Sequence, residues 1–461
     1  MEKKKRFKMP HAYVIIFIMT VITAILANII PAGTFDRVED ASGNSVVVAD
    51  SFHHVDKIGC SIFDMFKSFQ IGFEDSAQII FFIIFAYAFV YVLLKNGTFD
   101  ALVGSVLRKV GNRIELIIPV CMILFGLLGS TMGMFEETYG LIPVFISIAM
   151  ALGYDAIVGG SVIYLGVAVG FAAATINPFT IGIAQEVAGV KMFSGLGYRI
   201  LCFVVFMGIS IWYVWRYARR IQKDPTKSYL YGEKIDTLEC ASREEMMEIK
   251  MTTTHKLSCL LFVFTIGMLL YGTIKLGWYI DEIATLFIIM TIVSGLVSRF
   301  TPSEIADIFI EASKEMMYGA LLVGISRSIA VIMENAQIID TVVYWLATML
   351  QHFRGMASAM GMLFAQNIIN FFIPSGAGQA LITMPILAPV GEMVGVSRQV
   401  SVLAYQFGDG FSNIFWPTSV FMMCGIMRLP INKWYRFVTP LFLIIFAASI
   451  VLLGAAVVIG Y

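Results

Sequence analysis

The sequence predicts an all-α polytopic membrane protein of about eleven transmembrane elements, folded as two inverted-topology repeats with re-entrant hairpins and broken helices. Three observations predict it. Of 461 residues, 58% are hydrophobic and 14% charged, far from the mixture of a soluble domain. Apolar stretches long enough to span a bilayer, on the order of 20 residues each, recur along the whole chain. Helix-breaking and polar landmarks recur at a nearly constant offset between its halves.

The elements follow in order. The apolar run at 12–31 is preceded by Lys3, Lys4, Lys5, Arg6 and Lys8. It exceeds a signal peptide's h-region of about 7–15 residues, so it reads as a retained first helix with its N-terminus in the cytoplasm. The loop from Phe35 to Lys57 carries Asp36, Glu39, Asp40, Asp50 and Asp56 against Arg37 and Lys57, which suits the outer side. Further spans are expected near 77–95, 114–130, 156–174, 197–215, 257–275, 283–298, 316–333, 356–373, 398–408 with its continuation, and 437–459. Amphipathic stretches at 61–76 and 301–315 read as interfacial helices ahead of a span. Between Arg216 and Lys256 lie nine Lys/Arg residues, among them Lys234 and Arg243, so this linker belongs in the cytoplasm. The expected division is 1–215 for the first repeat with its leading helix, 216–256 for the basic linker, 257–282 for a connecting helix and 283–461 for the second repeat.

The repeat rests on landmarks rather than on apolar similarity, because Leu/Ile/Val-rich helices align with anything. Glu137, Pro143 and Gly153 correspond to Gln379, Pro385 and Gly395, each pair 242 apart. Asp64 and Asp307 stand 243 apart, Asp100 and Asp340 240 apart. The linker 95–113 carries Lys95, Arg108, Lys109 and Arg113, whereas its counterpart 335–354 carries Arg354 alone. If basic linkers stay inside, equivalent linkers lie on opposite sides, the mark of inverted repeats in secondary transporters.

Each half also contains two breaks: "GSTMGMFEETYGLIP" and "GFAAATINPFT" in the first, "IPSGAGQALITMP" and "FGDGFSNIFWPTS" in the second. Non-helical backbone at membrane depth survives only where protein buries it or where it lines a cavity. The first break of each half reads as a hairpin tip, the second as an unwound point at Asn177-Pro178 or Trp416-Pro417, where proline removes a helical donor. Freed N–H groups at half-helix ends can hold a carboxylate, and freed carbonyls with hydroxyls and amides can hold Na⁺. Arg327 lies mid-way through an apolar run; it either grips a substrate carboxylate or pairs with an acid such as Asp409. Glu136, Glu137 and Asp409 are candidates for a cation, a coupling proton or a substrate amine.

Other classes are excluded or disfavoured. Lys plus Arg and Asp plus Glu are equal at 32, so net charge points to no nucleic acid. The histidines fall in loops or at segment ends, the six cysteines form no C-x-x-C pair, and no phosphate-binding G-x-x-x-x-G-K-[ST] is present, which leaves no sign of a metal site, an intramembrane enzyme or ATP-driven transport.

The motifs "GMFEETYGLIP", "GYDAIVGG", "GFAAATINPFTIGIAQ", "NFFIPSGAGQALITMPILAP" and "YQFGDGFSNIFWPTS" resemble the anaerobic C4-dicarboxylate carrier family, in its YfcC-like branch, over most of both repeats. The resemblance implies an elevator-type architecture in a bacterial inner membrane, with a scaffold dimer holding two transport domains. It implies that Glu136, Glu137, Thr138, Asn177, Thr180, Ser375, Gly376, Gly378, Gln379, Asp409, Ser412, Asn413, Thr418 and Ser419 line a substrate and ion site. The tips here read Glu-Glu-Thr and Ser-Gly-Ala-Gly-Gln, not the Ser-Asn-Thr of dicarboxylate/sodium symporters. Members of the branch are commonly labelled basic amino acid antiporters, and the tip carboxylates with Arg327 suit a zwitterionic or cationic amino acid. The combined expectation is a multi-pass secondary active transporter, symporter or antiporter, for a small carboxylate-bearing solute. It would sit in lipid, use Na⁺ or H⁺ as coupling ion and no other cofactor, and work as a homodimer. A passive channel is the alternative.

Overall fold

The computed structural model describes residues 11–39, 45–48, 50–110, 115–233, 248–278 and 280–461. The N-terminal basic cluster, Asp40, Arg113, Lys234 and Arg243 lie outside the described residues. The described chain is almost wholly helical: α1 (Ala12–Ile29), α2 (Ile62–Asp75), α3 (Ala77–Lys95), α4 (Thr98–Val110), α5 (Ile117–Met132), α6 (Ile142–Ala151), α7 (Ala156–Ala172), α8 (Ile183–Val187), α9 (Leu196–Lys223), α10 (Thr253–Tyr271), α11 (Ile280–Val297), α12 (Pro302–Asn335), α13 (Ile339–Leu350), α14 (Met356–Phe372), α15 (Gly376–Met393), α16 (Arg398–Ser412), α17 (Pro417–Ile426) and α18 (Ile431–Val458). Two antiparallel ribbons, Gly33–Thr34 with His53–His54 and Arg37–Glu39 with Ser45–Val47, occupy the acidic loop. Among the described residues, α3, α9, α11, α12 and α18 are long and apolar enough to cross a bilayer.

Local chemistry explains where helices start. Ser61 and Asp64 cap α2 reciprocally, as Thr301 and Glu304 cap α12, each pair satisfying two otherwise open backbone donors. The capping counterpart of Asp64 is therefore Glu304, not Asp307. Asp155 caps α7 and Ser397 caps α16. Asp100 and Asp340 fall in the first turns of α4 and α13, where a carboxylate is favoured by the helix dipole.

Two expectations change. The stretches 301–315 and 316–333 are one continuous helix, because Pro302 sits in its first turn and nothing later removes a donor; its counterpart is split at Ser76 into α2 and α3. Helix α9 continues eight residues beyond 215 to Lys223.

The order of elements in 62–223 recurs in 302–458, and three equivalent pairs lie antiparallel against each other. Tyr87 donates to Glu315 at 2.5 Å, and Tyr91, four residues on, reaches Glu311, four residues back, at 3.2 Å. Tyr164 donates to the Asn413 carbonyl at 2.8 Å, and seven residues on the Phe171 carbonyl accepts from Gln406, seven back, also at 2.8 Å. Tyr198 meets the Leu452 carbonyl and Tyr213, fifteen on, meets Phe437, fifteen back. A rise on one helix matched by an equal fall on the other defines opposite chain directions.

Small residues set the close crossings. A Cβ on Gly170 would collide with the Gly126 backbone, and one on Gly129 would come against Val167 and Phe171, so α5 and α7 pack backbone to backbone. A Cβ on Gly425 would stand 2.8 Å from the Gly319 Cα, fixing α17 on α12. Beside that crossing Arg428 pairs with Glu315 at 3.0 Å, tying the α17–α18 turn to α3 and α12.

Candidate functional site: two hairpin tips meeting two broken helices

The first hairpin is α5, a tip and α6. Glu115, just before α5, accepts from Arg219 at 2.7 Å and Trp215 at 3.2 Å; Asp155, just after α6, accepts from Tyr217 and Ser228 at 2.6 Å each. Both ends of the hairpin are therefore held at the C-terminal end of α9, beside the basic linker, and the chain turns back inside the fold. The second hairpin is α14, a tip and α15, closed at its base by the Gly355 amide donating to the Val394 carbonyl at 2.8 Å. Arg398 reaches the Ala188 carbonyl at 2.9 Å, and Ser397 bonds the carbonyl of Tyr461, whose hydroxyl bonds the Gly195 carbonyl at 2.9 Å. That base sits at the N-terminal end of α9. The hairpins thus enter from opposite ends.

At the first tip Gly133 adopts φ 69°, and a side chain there would strike the Asn177 amide. Glu137 accepts from the Phe135 amide at 2.9 Å and Thr138 donates to the Phe135 carbonyl at 2.8 Å, closing groups the turn leaves open. Glu136 and Glu137 are half-buried. At the second tip Pro374 has no amide to satisfy, and the exposed Ser375 accepts from the Gly378 amide at 3.3 Å.

The broken helices are stitched in the same manner. After α7, Ser130 accepts from the Thr175 amide through its carbonyl at 2.9 Å and donates to the Ala173 carbonyl at 3.2 Å. Asn177 caps the π-turn Pro178–Gly182 by accepting from Phe179 at 2.9 Å. After α16, the Asp409 carbonyl accepts from Ser412 and Asn370, both at 2.7 Å, and Ser419 donates to Asn413 at 3.2 Å.

The tips converge on Phe171, at the last turn of α7. Its ring lies 5.3 Å from that of Phe135. A Cβ on Gly376 would come within 2.7 Å of Thr180 Cγ2, 3.3 Å of Asp409 Oδ2 and 3.4 Å of the Phe171 ring. Thr180, Gly376 and Asp409 therefore form one cluster. Gln379 donates to Gln366, and Tyr405 donates to the Gly376 carbonyl at 2.6 Å, pinning the tip from behind.

Polar atoms here are buried yet have no hydrogen-bond partner among the described residues: Asn177 Nδ2, Thr180 Oγ1, Gln379 Oε1, Asp409 Oδ2 and Thr418 Oγ1. Asp409 is fully buried; its other carboxylate oxygen accepts from Asn370 at 2.7 Å, and Asn370 Oδ1 is in turn open. Native interiors satisfy nearly all such groups, so this concentration of open polar atoms makes the cluster the candidate site. The hydroxyls of Ser412 and Ser419 are engaged internally, and Gly378 is half-buried beside Ser375.

Arg327 is not part of the cluster. It pairs with Asp75 at 3.4 Å and Glu334 at 3.1 Å on the α2–α12 contact, and its side chain is 34% exposed. Of the two readings of Arg327, the structure shows the pairing with an acid, made with Asp75 and Glu334 and not with Asp409, because α12 presents Arg327 to the end of α2. Asn370, Gln366 and Gln406 were missed in the sequence, although three amides within "FAQNIINFF" are an unusual load for a lipid-facing span.

The family model described as C4-dicarboxylate anaerobic carrier (DcuC) matches residues 9–458. The Escherichia coli protein named "Putative basic amino acid antiporter YfcC" is 31% identical, covering 99% of this chain and 98% of that one. A Haemophilus influenzae protein named as uncharacterised is 26% identical, covering 95% of both. Among solved structures, the Alcanivorax borkumensis YdaH transporter aligns over 98% of this chain and 99% of its own, at 17% identity and a TM-score of 0.43. Neisseria gonorrhoeae MtrF, from a class of antimetabolite efflux pumps, aligns over 98% and 96% at 18% identity and a TM-score of 0.42. On the near-complete family match and the chain-long relative, this multi-pass membrane transporter belongs to the C4-dicarboxylate anaerobic carrier family.

Proposed function

We propose that the protein is a secondary active transporter of the bacterial inner membrane that moves a small amino acid bearing both a carboxylate and a cationic group, coupled to Na⁺ or H⁺ or by exchange. The observation that carries this is the buried Asp409 with one open oxygen, set against the open hydroxyl of Thr180 and the Gly376 tip. Three carboxylates, Glu136, Glu137 and Asp409, belong to the tips and breaks, while Arg327 is spent on Asp75 and Glu334. An acidic site without a paired arginine favours a substrate with positive charge, or a cation bound first. The printed name of the Escherichia coli relative, a basic amino acid antiporter, agrees with that reading. The family description favours a C4-dicarboxylate as the second reading, which would need a cation beside Asp409 to offset repulsion.

The repeat division 1–215 and 283–461, joined by 216–256 and 257–282, belongs to this proposal. So do a cytoplasmic N-terminus, a homodimer and alternating access by exchange of the two halves' conformations. The antiparallel contacts of equivalent helices and the opposite entry of the hairpins support it. Counterflow in proteoliposomes is the test. Saturable exchange of arginine or ornithine, unaffected by succinate, fits the amino acid reading; exchange of succinate alone replaces it with the second; non-saturating flux without accumulation makes the protein a passive channel.

A further inference from the structure

We propose that Arg199, in the first turn of α9, anchors a binding site for a small monovalent anion, a halide or a carboxylate group, separate from the hairpin tips. Arg199 is 2% exposed. Its Nε donates to the Thr175 carbonyl at 3.1 Å, and its Nη1 donates to the Ser194 carbonyl at 2.5 Å and the Tyr461 hydroxyl at 3.3 Å. All three acceptors are neutral. Nη2 is buried with no hydrogen-bond partner, and no carboxylate forms an ion pair with this guanidinium among the described residues.

The contrast within the chain is sharp: Arg37, Arg219, Arg327, Arg398 and Arg428 each meet an acid. A guanidinium stays charged in any protein environment, and a buried charge lacking a counter-charge is strongly unfavourable. A second feature points the same way. The residue before α9, Gly195, has φ 71° and no side chain with which to cap the helix, so the uncapped, positive end of a 28-residue helix dipole lies in the same turn of chain as Arg199. In the same turn, Leu196 and Gly197 are exposed, and nothing lies within 4 Å of where a Gly197 side chain would begin.

The site also has a route to the transport machinery. The same guanidinium fastens the Thr175 carbonyl, two residues before Asn177, in the break after α7. An anion on Nη2 fixes the guanidinium and with it the break. The site goes beyond the tip-centred reading, and its test needs no transported substrate.

The experiment is thermal unfolding of the purified full chain in sulfate buffer, which supplies neither halide nor carboxylate, titrated separately with bromide and with acetate. A saturable rise of several degrees is expected, since a ligand that binds only the folded state stabilises it. Arg199→Gln abolishes the rise and Arg199→Lys weakens it. A rise with bromide alone assigns the source as an inorganic halide; a rise with acetate as well assigns it as the carboxylate of a solute. An equal rise in Arg199→Gln, or none in the wild type, overturns the proposal. If Arg199→Gln does not fold, anomalous diffraction from wild-type crystals soaked in bromide decides: a peak within hydrogen-bond distance of Nη2 supports the site, and its absence at saturating bromide overturns it.

Discussion

Asp409 and Arg327 look alike in the sequence, each a charge inside an apolar run, and the structure separates them. Asp409 keeps an oxygen in reserve, so Asp409→Asn, equal in shape, should lower uptake between about tenfold and 10²-fold, the loss of about 1.5–3 kcal/mol of charge-assisted bonding, with elution in size exclusion unchanged. Uptake within twofold of wild type would remove Asp409 from the ion or substrate site. Arg327 is a third exposed and already paired, and such pairs contribute about 0–1 kcal/mol. Arg327→Gln should therefore transport within about twofold of wild type; a tenfold rise in KM would restore Arg327 to the substrate site. Charge and location were legible at both positions. Partner choice was not, because it depends on which helices touch: Arg327 meets an acid 252 positions earlier in the chain.

Single elements carry the next two predictions. The Gly376 tip has room for hydrogen only, so Gly376→Leu should abolish uptake while the folded protein survives, as the tip itself is half-buried. Wild-type uptake would place the site elsewhere. Gly170 differs, since it lies where α5 and α7 touch backbone to backbone. Gly170→Leu should cost about 3 kcal/mol or more by overpacking and appear as lost monodisperse protein, whatever the assay of uptake shows. Both breaks of each half were visible as Gly, Pro and Asn within apolar runs, and the amphipathic stretch 61–76 was visible as the helix that the structure places at Ile62–Asp75. The fusion of 301–315 with 316–333 was not visible, because amphipathicity describes which face is wet and not where a helix ends. Only the absence of a donor-removing residue after Pro302 carried that information.

The whole molecule is governed by equivalent helices that run in opposite directions. Met150 and Glu392, near the bases of the two hairpins and 242 positions apart, should label from opposite faces. In a cysteine-free background, a membrane-impermeant maleimide applied outside right-side-out vesicles should modify Glu392→Cys and spare Met150→Cys until the vesicles are opened. Labelling of both from one face would refute opposite entry. The loop charges hinted at this arrangement, but the entry of the hairpins from opposite ends became legible only through the bonds of Glu115 and Asp155 to the C-terminal end of α9 and of Ser397, by way of Tyr461, to Gly195 before its N-terminal end.

The cross-bonding of the two broken helices has a consequence for synthesis. The open carbonyl of Phe171 is closed by Gln406, Tyr164 is anchored by Asn413, and the Ala188 carbonyl by Arg398. When only the first half has been made, those groups lack the partners that the second half supplies. The full set of these bonds can therefore form only after Asn413 has been made. Maturation is then a late, concerted closing of two halves, not a stepwise growth from the N-terminus.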